Sequence, residues 1–174
     1  PFLCFAHKYE TAPHVWHLSQ VPNMIEITYI EAGDLWRIGP EGQRIHHKAP
    51  CLLCYSHDIA WRMETQAPLH RHFTVAFSGT DMIMQTMAIS PTESISLPAE
   101  DLSHTFFLLF HVTDTGVCNE AAKAIQTIIA LHASSVSGHA LSEARLILQL
   151  LEILAQYARR LLQTQGKRAA IWEG

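Results

Sequence analysis

Hydrophobic residues change their rhythm partway along this chain. Over residues 13–98 they come in short runs broken by turn formers: Pro22, Gly33, Gly39, Pro40, Gly42, Pro50, Pro68, Gly79, Pro91 and Pro98. The runs between are rich in Ile, Val, Thr, Tyr, Phe and Trp, a pattern that predicts short strands stacked as a β-sandwich or barrel. Ile25, Ile27 and Tyr29 alternate with Glu26, Thr28 and Ile30, the period of a half-buried strand. The "EAGD" that follows predicts a hairpin turn, with Gly33 able to take a positive φ, and residues 35–38 return from it. "GPEG" at 39–42 turns again. "QRIHH" and "CLLCYS" predict two more strands, "IAWRMETQ" and "HRHFTVAFS" a pair joined through Ala67-Pro68, and "MIMQTMAI" a further strand.

From Pro98 the apolar spacing lengthens. "PAEDLSHTFFLLFHV" reads as a helix with Pro98, Glu100 and Asp101 in its first turn, or as a strand over "TFFLLFHV". "NEAAKAIQTIIALHA" predicts a helix opened by Asn119 as N-cap. The segment after residue 140 is the strongest helix, capped by Ser142. Its stripe of Leu146, Leu150, Ile153, Leu154, Tyr157 and Leu161 is widened by Ile147, Leu148 and Leu151. A helix apolar over so much of its circumference is buried on several sides, and the expectation is that a partner subunit covers part of it.

Composition narrows the classes. The 174 residues fit one domain with an appendage, and 48% apolar content supports a real core. A formal charge of −4 without a basic patch argues against nucleic-acid binding by these residues themselves. No apolar run approaches the length that spans a bilayer, and no signal peptide is expected at the N-terminus. The start at Pro1 without Met predicts a piece of a longer chain. Cys4, Cys51, Cys54 and Cys118 are too few and scattered for a disulfide scaffold, so a cytoplasmic, reduced protein is expected.

Two motifs carry metal chemistry in principle. His70 and His72, two apart on a strand, point to one face and resemble the metal-binding pair of cupin enzymes, but no acid follows them before Asp81. Cys51-x-x-Cys54 lies near His46, His47 and His57. Residues three apart on a strand face opposite sides, and no Gly permits the tight turn that chelation needs. No metal and no cofactor are therefore expected, and no nucleophile–base–orienter set is visible.

The segments Ile25-Glu26-Ile27-Thr28-Tyr29-Ile30-Glu31-Ala32-Gly33, Leu35-Trp36-Arg37-Ile38-Gly39 and His70-Arg71-His72-Phe73-Thr74-Val75-Ala76-Phe77 resemble the N-terminal regulatory domain of AraC-family transcription factors over roughly residues 14–162. The chain departs from that pattern at Lys48-Ala49-Pro50-Cys51, where the family has a Pro-Gly-Asp turn, and at Tyr55-Ser56-His57-Asp58. The resemblance implies an α+β fold: a cupin-like β-barrel (jelly roll) over residues 1–97, then a helical segment over 98–174 with the dimerisation helix. It implies a sensor of a small-molecule effector that is a homodimer, is not an enzyme, and binds DNA only through a C-terminal helix-turn-helix domain absent from this chain.

A jelly roll of this size encloses one small ligand, with inward residues at alternate positions. Trp16, His17, Tyr29, Trp36, Arg37, Arg62 and His72 are the side chains able to stack on or hydrogen-bond it. Either Arg37 or Arg62 is a candidate clamp for an acid. Whether Trp61 or Arg62 faces inward stays open. The expected dimer interface is Leu146, Leu150, Leu154, Tyr157 and Leu161. The rival reading is a metal-dependent cupin enzyme, an isomerase or dioxygenase, with its metal at His70 and His72.

Overall fold

A computed structural model describes residues 1–78, 83–87, 105–134 and 139–172. Among the described residues eleven strands and two helices follow in order: β1 (Phe2–Thr11), β2 (His14–Leu18), β3 (Met24–Ala32), β4 (Asp34–Ile38), β5 (Arg44–Lys48), β6 (Cys51–Ser56), β7 (Trp61–Thr65), β8 (His70–Ser78), β9 (Ile83–Met87), β10 (Thr105–Leu109), β11 (His111–Val112), α1 (Thr115–His132) and α2 (Ala140–Trp172). A five-stranded sheet runs β1-β8-β3-β6-β11 and a four-stranded sheet runs β2-β7-β4-β5, both antiparallel, while β9 and β10 pair in parallel. Among the described residues the two larger sheets are separate ladders, so the architecture is an open β-sandwich and not a closed barrel.

The predicted β3–β4 hairpin does not form. β3 belongs to the larger sheet and β4 to the smaller, and the Ala32-Gly33-Asp34 turn carries the chain from one to the other. The same holds for β7 and β8, expected as a pair and found on different sheets. Turn residues mark where a chain reverses, but in a sandwich the reversal serves equally to cross between layers. Gly33 has a φ of 87°, and a Cβ there would lie 2.4 Å from the Leu69 carbonyl oxygen. The "GPEG" turn does join a true hairpin, β4–β5.

The inner strands of the larger sheet, β3, β6 and β8, bury both faces. Ile25, Ile27 and Tyr29 of β3 pack with Val75, Phe77, Leu52 and Cys54 beneath the helices, whereas Ile30, Leu53, Cys51 and Tyr55 face the smaller sheet with Leu35 and Met63. The alternating polar residues of β3, Glu26 and Thr28, are thus interior, not solvent-facing. Cys51 and Cys54 separate to opposite faces of β6, and burial pushes each thiol up to about 12. β1 and β2 were not among the strands named from the sequence, and they form an edge of the larger and of the smaller sheet respectively.

Residues 105–112 are strands, in agreement with the second of the two readings of that stretch; the expected helix start at Pro98 and the boundary at 97/98 lie outside the described residues. Phe110, between β10 and β11, turns back into the inter-sheet core and its carbonyl accepts from Cys54 N at 3.1 Å. α1 is capped by Asp114, whose Oδ1 accepts from Val117 N at 3.0 Å, and Asn119 lies inside the helix. Ser142 likewise falls in the first turn of α2, and Glu143 N already bonds the His139 carbonyl at 2.8 Å. α1 lays Val117, Ala121, Ile125 and Ile128 on the larger sheet, and α2 packs against α1, β1 and β10.

The apolar stripe of α2 is covered largely by its own chain. Leu150 and Leu154 of the expected interface are buried in the core with Ile147, Leu151 and Ala158, while Leu146, Tyr157 and Leu161 stay half-buried along one edge. The stripe is wide because α1 and the sheet flank it on different sides. No helix among the described residues is long and apolar enough to cross a membrane.

Candidate functional site

Between the two sheets lies a cavity of about 200 Å³. The alternate positions Phe5, His7 and Tyr9 of β1 form one wall, and Trp16 and Leu18 of β2 the opposite one. Glu26, Thr28, Tyr55 and His72 supply the polar part, and Leu35 and Met63 complete it. Ring faces and a few placed polar groups thus share one lining.

The polar part centres on Glu26, which is 5% exposed. One carboxylate oxygen accepts from the Tyr55 hydroxyl at 2.5 Å and the Thr28 hydroxyl at 2.8 Å; the other meets His57 Nε2 at 2.7 Å. Thr28 spends its proton on Glu26, so the Thr74 hydroxyl, 2.7 Å away, donates to Thr28. His57 Nδ1 lies 3.3 Å from the Ser19 carbonyl, which can only accept. Burial pulls His57 down, but the bond and charge of Glu26 outweigh it and hold the imidazole above its ordinary value. Burial, then the Glu26 charge, raises the Tyr55 phenol well above its ordinary value. A buried carboxylate is tolerable only when it is hydrogen-bonded, and here three donors meet its two oxygens.

His72 sits at the other end. Its Nδ1 is 2.8 Å from His70 Nε2, so one ring donates and the other accepts. Burial, then the neighbouring His70 and His7, pushes His72 down to about 3, and burial also lowers His7 and His70. Neutral imidazoles therefore face the cavity beside Trp16, whose ring lies 6.1 Å from His72 and 5.8 Å from Tyr9. Among the described residues no group of three His, Cys, Asp or Glu side chains is arranged to hold a metal ion.

Of the expected ligand-binding residues, Trp16 and His72 line this cavity. Arg37 also points between the sheets, but at a separate place, against Trp61 and Phe110. The other four lie elsewhere. Tyr29 is on the helix-facing side of β3, stacked 6.5 Å from Phe73. Trp36 is on the outer face of β4, stacked 4.0 Å from His46. His17 and Arg62 line an open groove of about 500 Å³ outside the smaller sheet, with Arg62 reaching Glu64 at 3.3 Å. Trp61 packs inward and Arg62 outward, which answers the question the sequence left open. Missed by the sequence reading were Phe5, His7 and Tyr9, whose every-other spacing on β1 was their only signal, Tyr55, and Glu26 and Thr28, whose alternation was visible while Tyr29 of the other face was taken as the ligand side.

No protein-family model matches the chain, and no curated protein matches it. Solved structures do. The AraC-like transcriptional activator CuxR aligns over 87% of this chain and 50% of its own, with a TM-score of 0.53 and 8% identity. A DUF861 family protein from Thermotoga maritima aligns over 38% of this chain and 74% of its own, TM-score 0.34, 15% identity. ToxT from Vibrio cholerae O395, solved with (E)-4-(8-methylnaphthalen-1-yl)but-3-enoic acid, aligns over 46% and 32%, TM-score 0.37, 8% identity. The chain thus spans half the length of CuxR. The likeness to CuxR covers sheets and helices together, and it is a likeness of fold: a β-sandwich with appended helices.

Proposed function

We propose that this chain is the ligand-sensing and dimerisation module of an AraC-type DNA-binding transcriptional regulator, working in the cytoplasm. A small-molecule effector occupies the inter-sheet cavity, and DNA is bound only by a helix-turn-helix domain beyond this chain. The module is a binding device, not an enzyme. The observation that carries this is the cavity itself: ring faces of Phe5, Tyr9 and Trp16 opposite a fully satisfied Glu26–Tyr55–Thr28 cluster and a neutral His72. It is dressed for binding, with its carboxylate already committed to three donors.

The mechanism is a population shift. A ligand changes an equilibrium only through contacts that differ between two states. β1 and β2 contribute five of the cavity-lining residues, Phe5, His7, Tyr9, Trp16 and Leu18. An occupant therefore ties the N-terminal strands to the rest of the sandwich, and α1 and α2 pack directly on β1. A second copy packs on the edge of α2 that the chain leaves half-covered, Leu146, Ile153, Tyr157 and Leu161, where the pairing of the missing DNA-binding domains would respond.

A thermal-shift panel of sugars, aromatic acids, fatty acids and amino-acid derivatives tests the reading. A true effector at a hundredfold excess over its dissociation constant adds about 2.7 kcal/mol, and Trp16→Ala should remove that gain. Stabilisers whose effect survives Trp16→Ala would contradict it. The coding sequence past residue 174 discriminates from the enzyme reading: a helix-turn-helix region supports the regulator.

A further inference from the structure

Arg37 leaves β4 toward the interior and is 2% exposed. Among the described residues its Nε and Nη1 have no hydrogen-bond partner. The surroundings are aromatic: the guanidinium carbon lies 3.7 Å from the Phe110 ring centre, 4.2 Å from Trp61 and 5.4 Å from Tyr55. Ring faces offset part of the cost of a buried cation, but they are weak acceptors for its N–H groups. A second donor stands in the same place. His47 is 2% exposed, both of its ring nitrogens are without a partner among the described residues, and its ring lies 5.7 Å from Phe110 and 4.9 Å from His111. Buried polar groups in folded proteins are paired almost without exception. Two donor side chains unpaired around one phenyl ring mark the place of a missing acceptor.

We infer that Arg37 and His47 form a subsite for a carboxylate, and that the effector is therefore a small organic acid. The inference rests on the effector reading above and names its ligand class. Charge balance selects the carboxylate among anions. Burial, then the Arg37 charge, pushes His47 down to about 3, and burial lowers Arg37 only to about 10. The subsite thus holds one positive charge at neutral pH. A carboxylate neutralises it; a phosphomonoester would leave excess negative charge buried and unpaired. The position suits a ligand that reaches across the sandwich. Tyr55 lines the cavity with its hydroxyl on Glu26 and presents its ring to Arg37. On the other side Trp61 covers Arg37 and lines the open outer groove. The guanidinium is one side chain away from the cavity and one from solvent.

The test compares benzoate, benzamide and phenyl phosphate, at constant ionic strength, by calorimetric titration and thermal shift on the parent, on Arg37→Gln and on Arg37→Met, which keeps the side-chain stem and serves if the first variant folds poorly. Benzoate should bind and raise the melting temperature while the other two do not. Both Arg37 variants should bind benzoate at least tenfold more weakly, and Arg37→Met should melt higher than the unliganded parent because it removes an unpaired charge. Absence of benzoate binding, equal binding of benzoate and benzamide, or undiminished binding to both variants overturns the subsite. Preference for phenyl phosphate overturns the carboxylate assignment. The effector reading survives these failures if another ligand binds in a manner lost in Trp16→Ala, and falls separately if none does.

Discussion

His57 Nε2 lies 2.7 Å from Glu26 Oε2 with the two side chains 4% and 7% exposed, so one end of the sandwich is closed by a buried pair. Removing one member of such a pair leaves the other uncompensated, at a cost of roughly 3–5 kcal/mol. His57→Phe should lower stability by about that amount in denaturant titrations. The His57 imidazole is held above its ordinary value. Its stabilising contribution is therefore complete below pH 6.5, the unfolded value, and fades as pH rises through the folded value. An NMR titration should place the His57 midpoint above pH 6.5, and Glu26→Gln should bring it down.

His47 and His72 act in the opposite sense. Each is held neutral down to about 3. Between that value and the unfolded 6.5 the unfolded chain binds more protons, so stability falls as pH falls, by up to about 1.4 kcal/mol per pH unit for each residue. Two such groups outweigh the single His57 contribution. Urea melts at pH 7, 6 and 5 should show progressive loss, with a shallower slope in His72→Phe.

Leu150 and Leu154 belong to the core of one chain. Leu150→Ala should therefore cost about 2–5 kcal/mol, independently of protein concentration. Tyr157→Asp and Leu161→Asp, on the half-covered edge of α2, should instead convert a dimer mass to a monomer mass in light scattering while the fold persists. A concentration-dependent melt for Leu150→Ala, with Leu161→Asp still dimeric, would show the interface has been assigned to the wrong residues.

Gly33→Ala combines a positive φ with a Cβ placed 2.4 Å from the Leu69 carbonyl oxygen. The crossing from β3 to β4 cannot relax without shifting the turn before β8, and a loss on the order of 1–3 kcal/mol is expected. Gly42, also at positive φ but with nothing near its Cβ position, should lose less on the same substitution.

Local periodicity was legible; the partner of each face was not. The alternation of Ile25, Ile27 and Tyr29 with Glu26 and Thr28 marked a strand correctly. It also suggested that the apolar set faced the ligand, because nothing in β3 itself says that α1 and α2 cover that side. The polar set then became the cavity floor. The β3–β4 hairpin failed for a similar reason: a Gly-containing turn reports reversal, not which sheet the next strand joins. Arg37 was legible as an inward candidate from its place in a half-buried run. Its setting between Trp61 and Phe110 brings together residues far apart in sequence, and no spacing rule reaches that far. The helix starts shifted because Asp114 and His139 supply the first bonds ahead of Asn119 and Ser142.

The central claim is that the inter-sheet cavity holds a small molecule. Native mass spectrometry of the untagged chain, purified without added ligands and compared with the same sample after denaturation, tests it most directly. The parent should carry an excess mass that denaturation releases, and Leu18→Trp, which places a bulky ring between the cavity and the outer groove, should arrive without it. The same bound mass in the parent and in both Leu18→Trp and Trp16→Ala would place the molecule elsewhere; a parent that carries none, and gains none from any compound in the panel, would contradict the account.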